Sequence, residues 1–393
     1  MTDEIITVAP TIRTKGFKSE NLRVIGASAD DLEVAGALVR DLAGTRDTRL
    51  SNNDYRLLRL MARSYGKLRA GETPVAEDFV LSGHELLEYR LVAPSDQLRY
   101  LAYRYKYNKY PELKIVSAYP PCLQIEPTSI CNYRCVMCYQ SDKSFARKSH
   151  GYMGHMDFDL FTRVIDEVAG NIEAITFASR GEPLLHKDIA RMLEYCQGKF
   201  LALKLNTNAS ILDERLIHAL LSSDLQNLVF SIDAADEALY KKIRVGGDFK
   251  KVVRNLELFR DIRNREYSDS NIVVRISGVK LNDQQDIGEM EGFWGQFVDV
   301  IAFTNYNPWE TSYDNPENVI EEPCTEFWRH MFVWWDGKIN PCDFDYKSIL
   351  SRWNFDDLSV SDVWTSSQYN AFREQHLAGQ RGSLEPCHRC VAS

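Results

Sequence analysis

Nine cysteines stand in this 393-residue chain, and seven of them fall into two groups. Cys131, Cys135 and Cys138 lie in the run CNYRCVMC, a C-x3-C-x2-C spacing. Cys324, Cys342, Cys387 and Cys390 make a second set, whose last pair is the C-x2-C of EPCHRC. Cysteines that fill a core scatter along a chain, whereas metal ligands group. Short spacings let one loop wrap one centre. Tetrahedral zinc takes four protein ligands, but the first group offers three thiols, and the nearest histidines, His150 and His155, lie beyond a basic linker. Three thiolates suit a [4Fe–4S] cluster with one iron left open to a non-protein ligand. Four thiolates close a coordination sphere, as an auxiliary [4Fe–4S] cluster or, alternatively, zinc.

The elements that must hold these groups are legible from periodicity. From residue 28 to about 114 the pattern is helical, with Leu32, Ala35, Val39 and Leu42 at three- and four-residue steps. Capping boxes are read at Ser28/Asp31 and Ser82/Glu85. Helices are expected near 30–43, 53–66, 83–91 and 96–108, with weak strand signals at Leu22–Ile25 and Phe79–Leu81. The last helix is rich in Tyr, Arg and Lys, which suits an amphipathic packing face or, alternatively, a site for an anionic partner. Beyond Pro121 strand-like runs alternate with amphipathic helices: 122–128, 174–179, 200–207, 227–233, 271–279 and 299–305. That alternation predicts an α/β fold with a parallel sheet and right-handed crossovers, six units forming an open, partial (β/α)6 barrel. Chemistry in such folds gathers at the C-terminal ends of strands. The cysteine loop, RGEP (180–183), NTNAS (206–210) and DAAD (233–236) all fall there. Three domains are expected: a mainly helical one over 1–118, the barrel over 119–317, and a third over 318–393.

The composition excludes several classes. With 44% hydrophobic and 26% charged residues the chain is an ordinary globular protein. It has no apolar run long enough to span a bilayer and no secretion-type start, so a cytoplasmic, reducing location is expected and a disulfide framework is not. A net charge of −9 argues against nucleic acid as a partner. Residues 1–118 carry 18 basic and 16 acidic side chains, so the negative excess lies in the remainder.

The cysteine loop after the first barrel strand, with the motifs at the following strand ends, resembles the radical S-adenosylmethionine (radical SAM) superfamily over residues 120–393. The resemblance implies that Cys131, Cys135 and Cys138 hold the SAM-binding cluster. It implies that Gly181, Glu182 and Pro183 form the turn meeting the methionine amino group, with Arg180 where the family has glycine. Asn206 and Asn208 resemble its asparagine motif, Ser231 and Asp233 its S-x-D strand end, and Tyr139 the residue whose backbone meets adenine. The C-terminal cysteines resemble the SPASM/twitch extension, in the shorter form with one auxiliary cluster, and most of all the arrangement in 2-deoxy-scyllo-inosamine dehydrogenases.

This resemblance implies that SAM supplies a 5′-deoxyadenosyl radical and that a flavodoxin- or ferredoxin-type reductant supplies the electron. A fully ligated auxiliary cluster suits a two-electron oxidation of a carbohydrate or aminocyclitol alcohol. Asp343 or Asp345 is then the candidate base, and Glu126, Arg180, Asp233 and Arg275 are candidate polar grips, Arg275 alternatively meeting the SAM carboxylate. A radical epimerase needs a further thiol, and neither Cys122 nor Cys196 is well placed, Cys196 being expected on the outside of the barrel. A maturase acting on a ribosomal peptide is the other alternative, so the partner is a sugar-like small molecule or a peptide.

Overall fold

The computed structural model describes residues 6–8, 29–44 and 46–390. Those from 29 to 117 form one compact unit, and those from 118 to 390, with 6–8, form another.

The first unit contains helices Ala29–Ala43, Asn52–Ala70, Gly83–Leu91 and Gln97–Leu113. Capping boxes open two of them, with Ser51 and Asp54 reciprocally bonded at one and Ser82 and Glu85 at the other. Phe79–Leu81 is not a strand; the expectations at Leu22–Ile25 and for the Ser28 cap lie outside the described residues. In the Tyr- and Arg-rich helix two of the basic side chains pair with acids of the same unit. Arg104 is buried against Glu85, and Lys106 meets Asp54 at 2.6 Å.

In the second unit the six expected strands all form, within a larger sheet. In chain order the strands are β1 (Ile6–Val8), β2 (Cys122–Ile125), β3 (Ala174–Phe177), β4 (Ala202–Thr207) and β5 (Asn227–Ser231). They continue as β6 (Val273–Lys280), β7 (Val300–Asn305), β8 (His330–Val333), β9 (Lys338–Asn340) and β10 (Trp353–Asn354). The sheet order is β1-β7-β6-β5-β4-β3-β2-β8-β9-β10. Strands β2 to β7 are parallel neighbours in sequence order, the arrangement that repeated right-handed crossovers produce. β8 adds in parallel to the outer side of β2, Cys122 opposite His330, and β9 and β10 follow as antiparallel neighbours. The C-terminal section thus continues the barrel sheet.

The crossover helices form because apolar residues recur at helical spacing behind an aspartate cap. In Phe158–Val168, Leu160, Phe161, Val164, Ile165 and Val168 are buried, and Asp157 accepts the Asp159 N–H. Asp213, Asp236, Asp248 and Asp286 cap four later helices in the same way. Strand β4 shows the two-sided logic of the sheet. Leu203, Leu205 and Thr207 are buried, and the alternate Lys204 and Asn206 line a cavity. Among the described residues no helix is long and apolar enough to cross a membrane.

Gly278 shows how tightly the sheet is filled. A Cβ there would stand 2.3 Å from the Phe303 ring and 2.7 Å from the Ile232 carbonyl oxygen. Gly278→Ala is expected to lower unfolding free energy by about 1–3 kcal/mol through overpacking, read as an earlier denaturation midpoint with an unchanged slope.

Candidate active site

The cysteine loop is held by backbone bonds that leave its sulfurs directed inward. Arg134 N–H donates to the Val245 carbonyl at 2.8 Å, and Val136 N–H to that of Ile243 at 3.0 Å. The sulfurs receive weak donors: Tyr133 N–H at 3.4 Å on Cys131 and Gln140 N–H at 3.5 Å on Cys138. Burial pushes the Cys131 thiol up to about 12, with the nearby Glu182 charge adding to it. Cys135 and Cys138 are raised for the same first reason. Such thiols stay protonated unless a metal centre takes the proton's place.

The turn after β3 supplies the facing wall. Gly181 is obligatory: a Cβ would stand 2.1 Å from the Thr128 carbonyl oxygen, in the segment leading to the cysteine loop. Glu182 is buried and accepts from Thr207 Oγ1 at 2.6 Å, Asn208 N–H at 2.7 Å and Leu184 N–H at 3.1 Å. Burial still raises its pKa. Pro183 opens the short 3-10 turn that follows. Asn208 donates to Asn132 Oδ1 at 2.9 Å, tying the asparagine motif to the cysteine loop. The Asn206 Oδ1 atom is buried without a hydrogen-bond partner.

Several expected grips have other work. Glu126 and Arg180 are fully buried and bind each other through two parallel bonds of 2.7 and 2.6 Å. Arg180 Nη1 also donates to the Tyr346 carbonyl at 2.9 Å, and its guanidinium lies 4.3 Å from the Trp334 ring centre. The arginine that stands for glycine is thus anchored on three sides, and it also borders the cavity. Asp233 is ion-paired with Arg244 and accepts the Val279 N–H at 2.7 Å, so it does not line the cavity. Arg275 does not line it either. Arg244 went unread in the sequence, yet it borders the cavity, with Nη1 3.8 Å from Cys135 Sγ. The signal that could have found it is charge alone: a cation between two carboxylate-capped helices.

The four C-terminal cysteines come together: burial raises Cys324, Cys342 and Cys387, and charges nearby add to it, Glu326 and then Cys390 at Cys324, and the other cysteines of the set at Cys342 and Cys387. Asn340 Nδ2 donates to the Cys342 and Asp345 carbonyls at 2.6 and 3.1 Å, and Arg381 Nη2 to that of Cys390 at 2.8 Å. The two candidate bases separate here. Asp345 is fully buried, accepting from Tyr313 OH at 2.6 Å and from the Ile349 and Leu350 N–H groups at 2.8 Å each, so it shapes the loop. Asp343 lines the cavity, accepts from Ser179 Oγ at 2.7 Å, and is lifted by burial to about 6. Ser179 itself holds φ at 105°, a left-handed conformation unusual for a side-chain-bearing residue.

The cavity measures about 350 Å³. It brings together Cys131, Cys135, Cys138, Tyr139, Arg180, Gly181, Glu182, Asn206, Asn208, Ser231 and Asp343 from the sequence expectation. Cys122 and Cys196 lie outside it, and Cys196 is buried in the core rather than exposed. Among the described residues no three Cys, His, Asp or Glu side chains form a group that could hold a single metal ion. Three and four thiols match the ligand counts of an iron–sulfur cluster with one open iron and of a fully ligated one.

Comparison with known proteins agrees with this chemistry. Residues 125–290 match the model of the radical SAM superfamily, and residues 324–391 match SPASM, an iron–sulfur cluster-binding domain. GTP 3′,8-cyclase of Clostridium botulinum (strain Okra) is 24% identical over 51% of this chain and 63% of its own length, so the chain spans less than two thirds of that relative. The tungsten-containing aldehyde ferredoxin oxidoreductase cofactor-modifying protein of Pyrococcus furiosus is 23% identical over 64% of this chain and 82% of its own. Among solved structures, Streptococcus suis SuiB bound to precursor peptide SuiA shares the fold, with TM-score 0.51 at 17% identity over 72% of each chain. The chain carries a radical SAM domain and a C-terminal SPASM domain, and these domains imply SAM and [4Fe–4S] clusters as its cofactors.

Proposed function

We propose that this radical SAM enzyme oxidises an alcohol of a small carbohydrate-like molecule, an aminocyclitol or sugar, to a carbonyl. One observation carries the reading. Asp343 lines the cavity, and its chain neighbour Cys342 belongs to the four-thiol set. A carboxylate at the substrate and a cluster ligand are thus one peptide bond apart.

In this reading Cys131, Cys135 and Cys138 hold one cluster and Cys324, Cys342, Cys387 and Cys390 the other. Glu182, Tyr139, Asn206, Asn208 and Ser231 form the SAM side of the cavity. When bound, the cofactors supply a 5′-deoxyadenosyl radical as hydrogen-atom acceptor and an auxiliary cluster as electron acceptor. Asp343 takes the substrate's hydroxyl proton, which completes the loss of one hydrogen atom, one proton and one electron. Ser179 fixes the Oδ1 side of that carboxylate. The placement of Cys122 and Cys196 away from the cavity supports oxidation over epimerisation, since neither thiol stands where it would return a hydrogen atom.

Three experiments test this. Anaerobically reconstituted enzyme with SAM and dithionite, offered aminocyclitols, amino sugars and peptides in deuterated water, is expected to form 5′-deoxyadenosine together with a carbohydrate product lighter by two hydrogens and free of new deuterium. A product of unchanged oxidation state bearing one solvent deuterium, or a modified peptide, overturns the reading. Asp343→Asn is expected to lower kcat by about 10²–10⁴-fold, with iron content and SAM affinity unchanged. Cys387→Ala is expected to reduce iron from about eight to about four atoms per chain, with slow substrate-independent SAM cleavage retained.

A further inference from the structure

We infer that Trp309, Asn307 and Asp343 form a ring subsite, in which one face of a saturated, hydroxyl-bearing six-membered ring lies on the indole while the ring's edge donors meet the two oxygen acceptors. The inference rests on the carbohydrate reading above and goes beyond it by placing the ring.

Trp309 is 39% exposed, yet it borders the cavity. It is held rather than loose. Its N–H donates to the Asn307 carbonyl at 2.8 Å, its own carbonyl accepts Ser312 Oγ at 2.7 Å, and its ring meets Phe344 at 5.2 Å between centroids. Phe344 directly follows Asp343, so the exposed indole and the cavity carboxylate are braced on one short stretch. Asn307 also lines the cavity, and its Oδ1 is buried with no hydrogen-bond partner. A buried acceptor left unpaired costs about 1–3 kcal/mol, a cost that a ligand hydroxyl or amine removes. A flat apolar surface on the same cavity as an unpaired amide oxygen and a carboxylate is complementary to a cyclitol or pyranose. Such a ring shows C–H groups on its faces and donors around its edge. The set comes from other segments than the cysteine loop and the 180–183 turn: Trp309 and Asn307 follow β7, and Asp343 comes from the SPASM section.

The test is binding, measured by isothermal titration on SAM-loaded, cluster-reconstituted full chain under anaerobic conditions. The probes are myo-inositol, D-glucosamine, 2-deoxy-scyllo-inosamine and an alanine-rich pentapeptide. At least one cyclic probe is expected to bind. Trp309→Ala is expected to weaken that binding about tenfold and Trp309→Phe much less, with the SAM dissociation constant and iron content unmoved in both. Asn307→Ala is expected to weaken it severalfold. No cyclic probe binding at roughly 10 mM overturns the subsite, as does equal binding by wild type and Trp309→Ala, or preference for the pentapeptide. Failures remain distinguishable. A ring that binds in a Trp309-dependent way but is never oxidised leaves the subsite standing and removes the dehydrogenase. A ring oxidised equally well by Trp309→Ala does the reverse.

Discussion

The buried pair of Glu126 and Arg180 is the joint on which the active site hangs. Taking two charges out of water is costly, and their attraction offsets that cost only where geometry is good and every remaining donor is satisfied. Here two parallel bonds join the partners, the third guanidinium nitrogen finds the Tyr346 carbonyl, and Glu126 also accepts the N–H groups of Arg180 and Trp335. The Trp334 face covers the cation. Loss of either partner strands the other charge at a cost of about 3–5 kcal/mol. The pair therefore fixes three things at once: the exit of β2 toward the cysteine loop, the Gly181-Glu182-Pro183 turn, and the 342–346 loop that carries Asp343.

From that joint the charge distribution of the cavity follows. Glu182 is stabilised in place by a hydroxyl and two backbone N–H groups, with no cation of its own among its hydrogen-bond partners. Such a carboxylate is well suited to meet a ligand ammonium. Arg244 is neutralised by Asp233 yet still reaches Cys135. The wall thus presents both an acid and a screened cation. Asp343 is held by Ser179, whose strained backbone is stabilised by the crowded turn around it.

Much of this was legible in the sequence because local rules carry it. The strands at 174–177, 202–207 and 227–231 announce themselves by apolar runs between turn residues, and the aspartates before each helix mark the helix starts. The two cysteine groups were legible because ligand spacing is itself a local pattern. The rest is non-local. Glu126 and Arg180 lie far apart in sequence, and nothing in either neighbourhood says that two charges will be buried together, so both read as candidate substrate grips. Asp343 and Asp345 look equivalent two residues apart; only the path of the loop sends one into the cavity and the other onto Tyr313 and the Ile349 and Leu350 amides. The strand β8 is too short and too aromatic in its surroundings to be told from a loop until its partner is known.

That last strand changes how the molecule must come into being. β8 hydrogen-bonds alongside β2, so the first strand of the barrel has its outer partner in a segment synthesised only after all six barrel strands. Until that segment emerges, the nascent barrel presents a raw parallel edge, built from CLQI, to any other chain that meets it. The SPASM section is therefore more than a second cofactor holder. It is the closing seam of the sheet, and a ribosome stalled before residue 330 would leave a barrel with all six of its own strands and an unprotected margin.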